Sequence, residues 1–299
     1  MREQFRHKAV PYQGQHAFLS CCSAMADRAA NDDEQLMFVV SAAKVDALRG
    51  TLGGQPGDIT YLEADEHVRN PARLLTLLDG FRSGGRDRRC VSVHEPVLAG
   101  TSAKLAETRL GESVLNSPAL QSWNLAVLCM YDTADLDEAA HTEMRRSHPS
   151  VSGEAVNPAY EPELAGAMFA EALPDPPPYA RNHDVHNRHL VPAREFVRTH
   201  AGDLAPDRRE DLVLAADEII TNSVKHGGGR CRVAMWDENG SVVCDVQDEG
   251  HITDPMVGRL APTVESPAGR GLWIANHLCD LVQIRSSQAG TTVRLRVDR

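Results

Sequence analysis

Asp211-Leu-Val-Leu-Ala-Ala-Asp-Glu218-Ile-Ile-Thr-Asn222-Ser-Val-Lys-His-Gly227-Gly-Gly229 is the most strongly patterned segment of the chain. Leu212, Val213, Ala216, Ile219, Ile220 and Val224 share one broad face at helical spacing. Asp211, Glu218, Asn222 and Lys225 fall on the opposite side. Glu218 and Asn222 are four apart, so a helix projects them together from one surface. The glycines end the helix. A solvated polar face is the commoner fate of such a pair, so its meaning depends on residues 230–299.

There, Cys231–Trp236 and Val242–Gln247 read as strands joined by Asp237-Glu-Asn-Gly240, and Asn-Gly between apolar runs signals a hairpin. The second strand runs into Asp248-Glu-Gly250. A carboxylate at a strand end can accept a hydrogen bond from a base amino group, and the glycine leaves room for the ring. His251–Pro267 is polar and proline-interrupted, suited to a mobile loop. Gly269-Arg-Gly271 then opens an apolar helix over Leu272–Leu281. Glycines at a helix N-terminus expose free N–H groups at the positive dipole end, a natural phosphate seat. Leu281–Arg285, a Gln288-Ala-Gly290 turn and a last strand, Thr291–Val297, close the chain.

Each signal is weak alone, but their order resembles the GHKL ATPase superfamily, and more closely the RsbW-type anti-sigma-factor serine kinases. Ala193-Arg-Glu-Phe-Val197 and Gly271-Leu-Trp-Ile-Ala-Asn-His-Leu-Cys-Asp280 are similar to that branch. The resemblance covers about residues 188–299. It implies a two-layer α/β sandwich of the GHKL (Bergerat) type that uses ATP and Mg²⁺. By the same resemblance Asp248 binds the adenine amino group, Gly250 makes space beside it, and Thr291 supports the contact. Asn222 holds Mg²⁺, Glu218 is the general base, and Gly269, Arg270 and Gly271 belong to the phosphate lid. The implied partners are a sigma factor and an anti-sigma-factor antagonist protein phosphorylated on serine or threonine. One departure stands out: the superfamily usually continues Asp-x-Gly-x-Gly, whereas this chain has Ile252 at the second glycine.

Toward the N-terminus, Leu173-Pro-Asp-Pro-Pro-Pro-Tyr179 marks a seam, since consecutive prolines make a stiff extended spacer. It divides the 299 residues into an N-terminal domain (1–165), a linker (166–187) and a C-terminal domain (188–299). The N-terminal domain alternates: strands at Leu36–Val40, Ile59–Leu62, Cys90–Val93 and Leu125–Met130, and helices at Ala42–Leu52 and Pro71–Phe81. Alternation with apolar strands predicts a mostly parallel α/β/α sheet covered on both faces. No Gly-x-x-x-x-Gly-Lys-Ser/Thr loop is present, and Gly100-Thr-Ser-Ala-Lys104 lacks the spacing. Asp132 after its strand resembles the metal-side half of a phosphate site, but a plain strand-end Asp is favoured. A sensory or scaffolding role therefore outranks an NTPase here. His7–Ala26 with Tyr12-Gln-Gly-Gln-His16, Phe38-Val-Val-Ser-Ala42, the Pro71–Phe81 helix, Leu128-Cys-Met-Tyr-Asp132 and Arg146-Ser-His-Pro149 are similar to the MEDS sensory domain. That domain is itself similar to a RecA-like core without its phosphate loop. The resemblance implies a sensing input with an unknown ligand.

Hydrophobic residues at 42% and charged residues at 24% give a globular composition, and only 5% aromatics leaves the cores to Leu, Val, Ile and Ala. A net charge of −11 argues against gripping nucleic acid or an anionic membrane, which need a basic surface. No apolar run reaches the ~18 residues of a membrane span, and the first residues lack a signal-peptide core. The seven cysteines are scattered with no Cys-x-x-Cys pair, so reduced thiols of a cytoplasmic protein are expected, and zinc or a disulfide framework is not. His94-Glu95-Pro96 follows a strand rather than a dimerisation helix, which disfavours a phospho-acceptor role. His183, His186 and His189 recur every three residues but read as linker rather than a metal site. Homodimerisation is left open. The competing functions are a sensor-coupled anti-sigma kinase, a nucleotide-binding switch without phosphate transfer, and an enzyme centred on the N-terminal sheet.

Overall fold

The computed structural model describes residues 5–53, 57–85, 88–96, 100–186, 190–263 and 269–299. The chain forms two compact units: Met1–Arg69 with Leu74–Leu164, and Asn70–Arg73 with Ala165–Arg299.

The first unit runs β1 (Phe5–Tyr12), α1 (Gly14–Asn31), β2 (Gln35–Val40), α2 (Ala42–Leu52), β3 (Asp58–Glu63), α3 (Ala64–His67), α4 (Arg73–Gly84), β4 (Cys90–His94), α5 (Ser102–Val114), β5 (Leu125–Asp132), α6 (Glu138–Ser147) and β6 (Ser150–Val151). The strand order is β3-β2-β4-β5-β1-β6, and every pairing is parallel. Parallel neighbours need crossover connections, which the intervening helices supply. Leu36–Val40 and Cys90–His94 are buried at every position, so both faces of the sheet are covered. Phe18 and Cys22 of α1 and Val45, Leu48 and Leu52 of α2 join Leu36, Phe38 and Val40 in one core cluster.

The turn after β1 explains the missing phosphate site. Gln13 alone separates β1 from α1, and Gly14 takes a positive φ of 73°. The Gly14 N–H points to both oxygens of Asp132, at 3.2 and 3.3 Å. A carboxylate thus sits at the α1 N-terminus, where a phosphate would otherwise be held.

The boundary falls at the start of α7 (Leu164–Ala170). The second unit continues with β7 (Arg181–His186), α8 (Leu190–His200), α9 (Pro206–His226), β8 (Arg230–Glu238), β9 (Ser241–Asp248), α10 (Arg270–Leu278), β10 (Leu281–Ser287) and β11 (Gly290–Asp298). Its five strands are all antiparallel, in the order β10-β11-β9-β8-β7. α9 packs on β8, β9 and β11 and is flanked by α8 and α10, giving the two-layer sandwich. Leu212, Val213, Ala216, Ile219 and Ile220 are buried as their spacing predicts, and Val224 is half-buried. Asn239 and Gly240 both take positive φ (51° and 82°), the requirement of a tight hairpin turn between β8 and β9.

The spacer expectation needs correction. Arg181–His186 is not linker but the edge strand β7, paired with Arg230–Met235. Its neighbour, the proline-rich segment, is also held down. The Pro174 carbonyl accepts from Arg294 Nη2 at 2.8 Å, and Ala180 packs with Ala234, Trp236 and Val243. By register, Ala234, Trp236, Val243, Asp245 and Arg294 share one sheet face, on which Ala180 packs beside the indole and the Pro174 carbonyl is held. His183 stacks on Phe196, with ring centroids 5.2 Å apart, and His186 is exposed. His189 lies outside the described residues. His94 ends β4 and is buried. All seven cysteines are free, and no helix among the described residues is long and apolar enough to cross a membrane.

Candidate functional site

Two clusters of predicted residues sit along the C-terminal half of α9. The first is at its end. Gly227 follows the helix, and Asp248 ends β9 beside it. A Cβ on Gly227 would press into the Asp248 carboxylate, with Oδ1 at 2.5 Å. A Cβ on Gly250 would lie 2.8 Å from Asp248 Oδ1 and 3.0 Å from Gly227 Cα. Glycine at both positions is therefore a steric requirement of this close approach. The Gly250 N–H donates to Asp248 Oδ1 at 2.7 Å, fixing one carboxylate oxygen. Thr291 pairs with Asp248 across the β9–β11 ladder, and its hydroxyl donates to the Gly250 carbonyl at 2.9 Å. Ser286 Oγ is 2.7 Å from Thr291 Oγ1 and accepts from the Ile252 N–H at 2.8 Å.

The second cluster lies further toward the N-terminus of α9. A Cβ on Gly271, in the first turn of α10, would stand 2.7 Å from Asn222 Nδ2 and 3.0 Å from Glu218 Oε2. Glu218, Asn222 and Gly271 are thus brought together, with Glu218 and Asn222 half-buried and Gly271 buried. Gly269 caps α10 in the left-handed conformation (φ 80°), and Arg270 is exposed. From Glu218 to Gly227 the helix rises roughly 13 Å at ~1.5 Å per residue, which separates the two clusters along α9.

The loop expectation is met only in part by the described residues. Asn276 Nδ2 donates to the Gly258 carbonyl at 2.9 Å, and Ile252 is tied to Ser286. Gly258 (φ 72°) approaches α10 so closely that its Cβ would lie 2.5 Å from Leu272 Cβ. His251–Thr263 is therefore anchored rather than free, while 264–268 lies outside the described residues. Ile252 is not among the positive-φ residues, so its backbone makes no demand for the glycine usual there. Sequence reasoning missed Gly258, Asn276 and Ser286. A glycine and a serine in a polar loop and an edge strand carry no periodic signal, and Asn276 sat within an apolar helix.

Asn222 and Glu218 offer oxygen donors of the kind Mg²⁺ takes. The bare α-carbon of Gly271 leaves a cradle against them that any side chain would fill. The residues present therefore fit a magnesium–phosphate group.

Fold and site define the class first: a GHKL-type α/β sandwich following a parallel α/β domain. Residues 185–297 match the family model described as histidine kinase-like ATPase domain. Residues 6–149 match MEDS, the methanogen/methylotroph DcmR sensory domain. The chain is therefore similar to a MEDS domain over residues 6–149 and to a histidine kinase-like ATPase domain over residues 185–297. Among solved structures it is similar to the RsbU and RsbW domains of Rv1364c from Mycobacterium tuberculosis, at 19% identity and a TM-score of 0.30. That match covers 40% of this chain and 32% of the other, so this chain spans about a third of that chain's length. No curated protein matches.

Proposed function

We propose that the protein is a sensor-coupled anti-sigma regulator. Its C-terminal domain binds ATP with Mg²⁺, sequesters a sigma factor and phosphorylates a serine or threonine of an antagonist protein. The observation that supports this most is the convergence of Glu218 and Asn222 of α9 with Gly271 of α10, while Gly227 at the end of the same helix α9 lies against Asp248. Asp248, with Oδ1 held by Gly250, keeps its other oxygen to accept from the adenine amino group. Thr291 acts through the Gly250 carbonyl and keeps the strand end in register. Gly269, Arg270 and Gly271 present N–H groups and a cation where α10 begins, suited to phosphate oxygens. Asn222 would hold the magnesium ion, which supplies neutralisation of phosphate charge when bound. Glu218, beside Asn222, is placed to take the proton of an incoming hydroxyl. The MEDS domain supplies the input, with a ligand of unknown class.

Calorimetry on the full chain tests the nucleotide site. ATP with Mg²⁺ should bind at one site per chain. Asp248→Ala should weaken it about 10- to 150-fold, since a hydrogen bond to a charged group is worth ~1.5–3 kcal/mol. Unchanged affinity in that variant would remove Asp248 from the site. ATP binding with no transfer to any candidate antagonist would favour the second reading, a conformational switch.

A further inference from the structure

Three histidines, a glutamate and a cysteine from separate elements converge inside the first unit. His7 lies on β1, His94 on β4, Glu112 on α5, Cys129 on β5 and His148 just after α6, and none is more than 4% exposed. His7 Nε2 is 3.2 Å from Cys129 Sγ and 3.6 Å from Glu112 Oε2. His148 Nε2 is 3.2 Å from the same glutamate oxygen. The donor atoms of His7, Glu112, Cys129 and His148 all lie within 4.8 Å of one another. Four donors at ~2.0–2.3 Å from one ion stand roughly 3.3–3.7 Å apart in a tetrahedron, close to the 3.2–3.6 Å of the three spacings above.

The outer nitrogens fix the tautomers. Asn116 Nδ2 donates to the Ser147 carbonyl at 2.7 Å, so its Oδ1 is the atom facing His7 Nδ1 at 2.9 Å. His148 Nδ1 faces the Met144 carbonyl at 2.7 Å. Both acceptors require a proton on Nδ1, which turns the lone pair of each Nε2 inward. His148 Nε2 is fully buried and makes no hydrogen bond. It confronts a carboxylate oxygen, so two acceptors meet with nothing positive between them. Burial and Glu112 push the Cys129 thiol up.

We propose that this cluster is a binding site for one divalent transition-metal ion of the zinc class, with ligands His7 Nε2, His148 Nε2, Cys129 Sγ and Glu112 Oε2. His94, donating to Glu112 Oε1 at 2.9 Å, and Asn116 orient the ligands from outside. Nitrogen, thiolate and carboxylate together suit zinc and its neighbours. A cavity of about 80 Å³ bounded by Leu105, Tyr131 and Met144 is also lined by Glu112, and one of about 770 Å³ is lined by His7 and Asn116. The thiol must give up its proton as the sulfur–metal bond forms, so binding releases H⁺ and strengthens as pH rises. A site of this kind runs against the expectation, drawn from cysteine spacing, that zinc chemistry is absent.

Full-length protein stripped with chelator and titrated with Co²⁺ tests the site. One equivalent should produce a thiolate-to-cobalt charge-transfer band with proton release, and Zn²⁺ should displace it. Cys129→Ser should abolish the band, while Cys22→Ser, a buried cysteine outside the cluster, should keep it. Asn116→Ala should weaken Co²⁺ binding about 10- to 100-fold with the band retained, the usual cost of losing an outer partner. A wild-type titration without a thiolate band overturns the proposal whatever the variants do. So does a band that survives in a folded Cys129→Ser protein.

Discussion

Glu218→Gln is expected to lower phosphate transfer to a cognate antagonist by ~10²–10⁴-fold while leaving ATP affinity nearly unchanged. The contacts proposed for the nucleotide are made by Asp248, Asn222 and the start of α10, not by the Glu218 carboxylate. Glutamine keeps the shape that lies against Gly271, where a Cβ would come within 3.2 Å of Glu218 Cβ, so packing survives. What is lost is the only proton acceptor proposed for the attacking hydroxyl. Asn222→Ala should behave differently, lowering affinity for ATP with Mg²⁺ and transfer together. Radiolabelled ATP with an antagonist protein, run beside calorimetry, separates the two. Equal transfer by wild type and Glu218→Gln would end the general-base role.

The parts of the fold that were legible were those whose information is local. The α9 face follows from its own periodicity, and the β8–β9 turn from Asn239-Gly240, whose positive φ values are the physical content of that dipeptide. Asp248, Gly250 and Gly271 were readable as residue types with a role toward a nucleotide, but the close backbone approach that also demands glycine was not. The reason is a neighbour distant in sequence: Asp248 against Gly227, and Glu218 and Asn222 against Gly271.

What escaped was non-local. β7 has Val185 as its single buried residue, so Arg181–His186 carries no strand-like alternation and reads as linker until β8 pairs with it. The proline-rich segment was correctly stiff, but its anchors, Trp236 and Arg294, lie some 60 and 120 residues later. The place of β1 between β5 and β6 depends on pairing with later strands. The His7–Glu112–Cys129–His148 cluster has no motif spacing at all, because its donors come from four different parts of the chain.

Arg294→Met is expected to destabilise the C-terminal domain by ~3–5 kcal/mol, a large share of the ~5–15 kcal/mol typical of a native protein. Asp245 is fully buried, and its Oδ2 takes Arg294 Nε at 2.6 Å and Nη2 at 2.5 Å. Asp245 Oδ1 has no hydrogen-bond partner, so this carboxylate relies chiefly on one guanidinium, with Gln247 a lesser partner and Asp175 a nearby like charge. The same guanidinium holds the Pro174 carbonyl and lies 4.9 Å from the Trp236 ring centroid. Burial already raises the Asp245 pKa, against the pull of Arg294, and removing the arginine must raise it further. A carboxyl whose pKa is higher folded than unfolded contributes stability that is present below the unfolded pKa, ~3.9, and is lost as pH rises above it. The deficit of Arg294→Met should therefore be small near pH 4 and grow toward neutrality. Adding Asp245→Val should recover most of the loss, because replacing both members of a buried pair by apolar groups removes the stranded charge. Urea unfolding of the full chain, followed by circular dichroism across pH, measures all three forms. A deficit that is independent of pH, or a double variant no more stable than the single one, would show that the ion pair does not govern the packing of the proline-rich segment on this sheet.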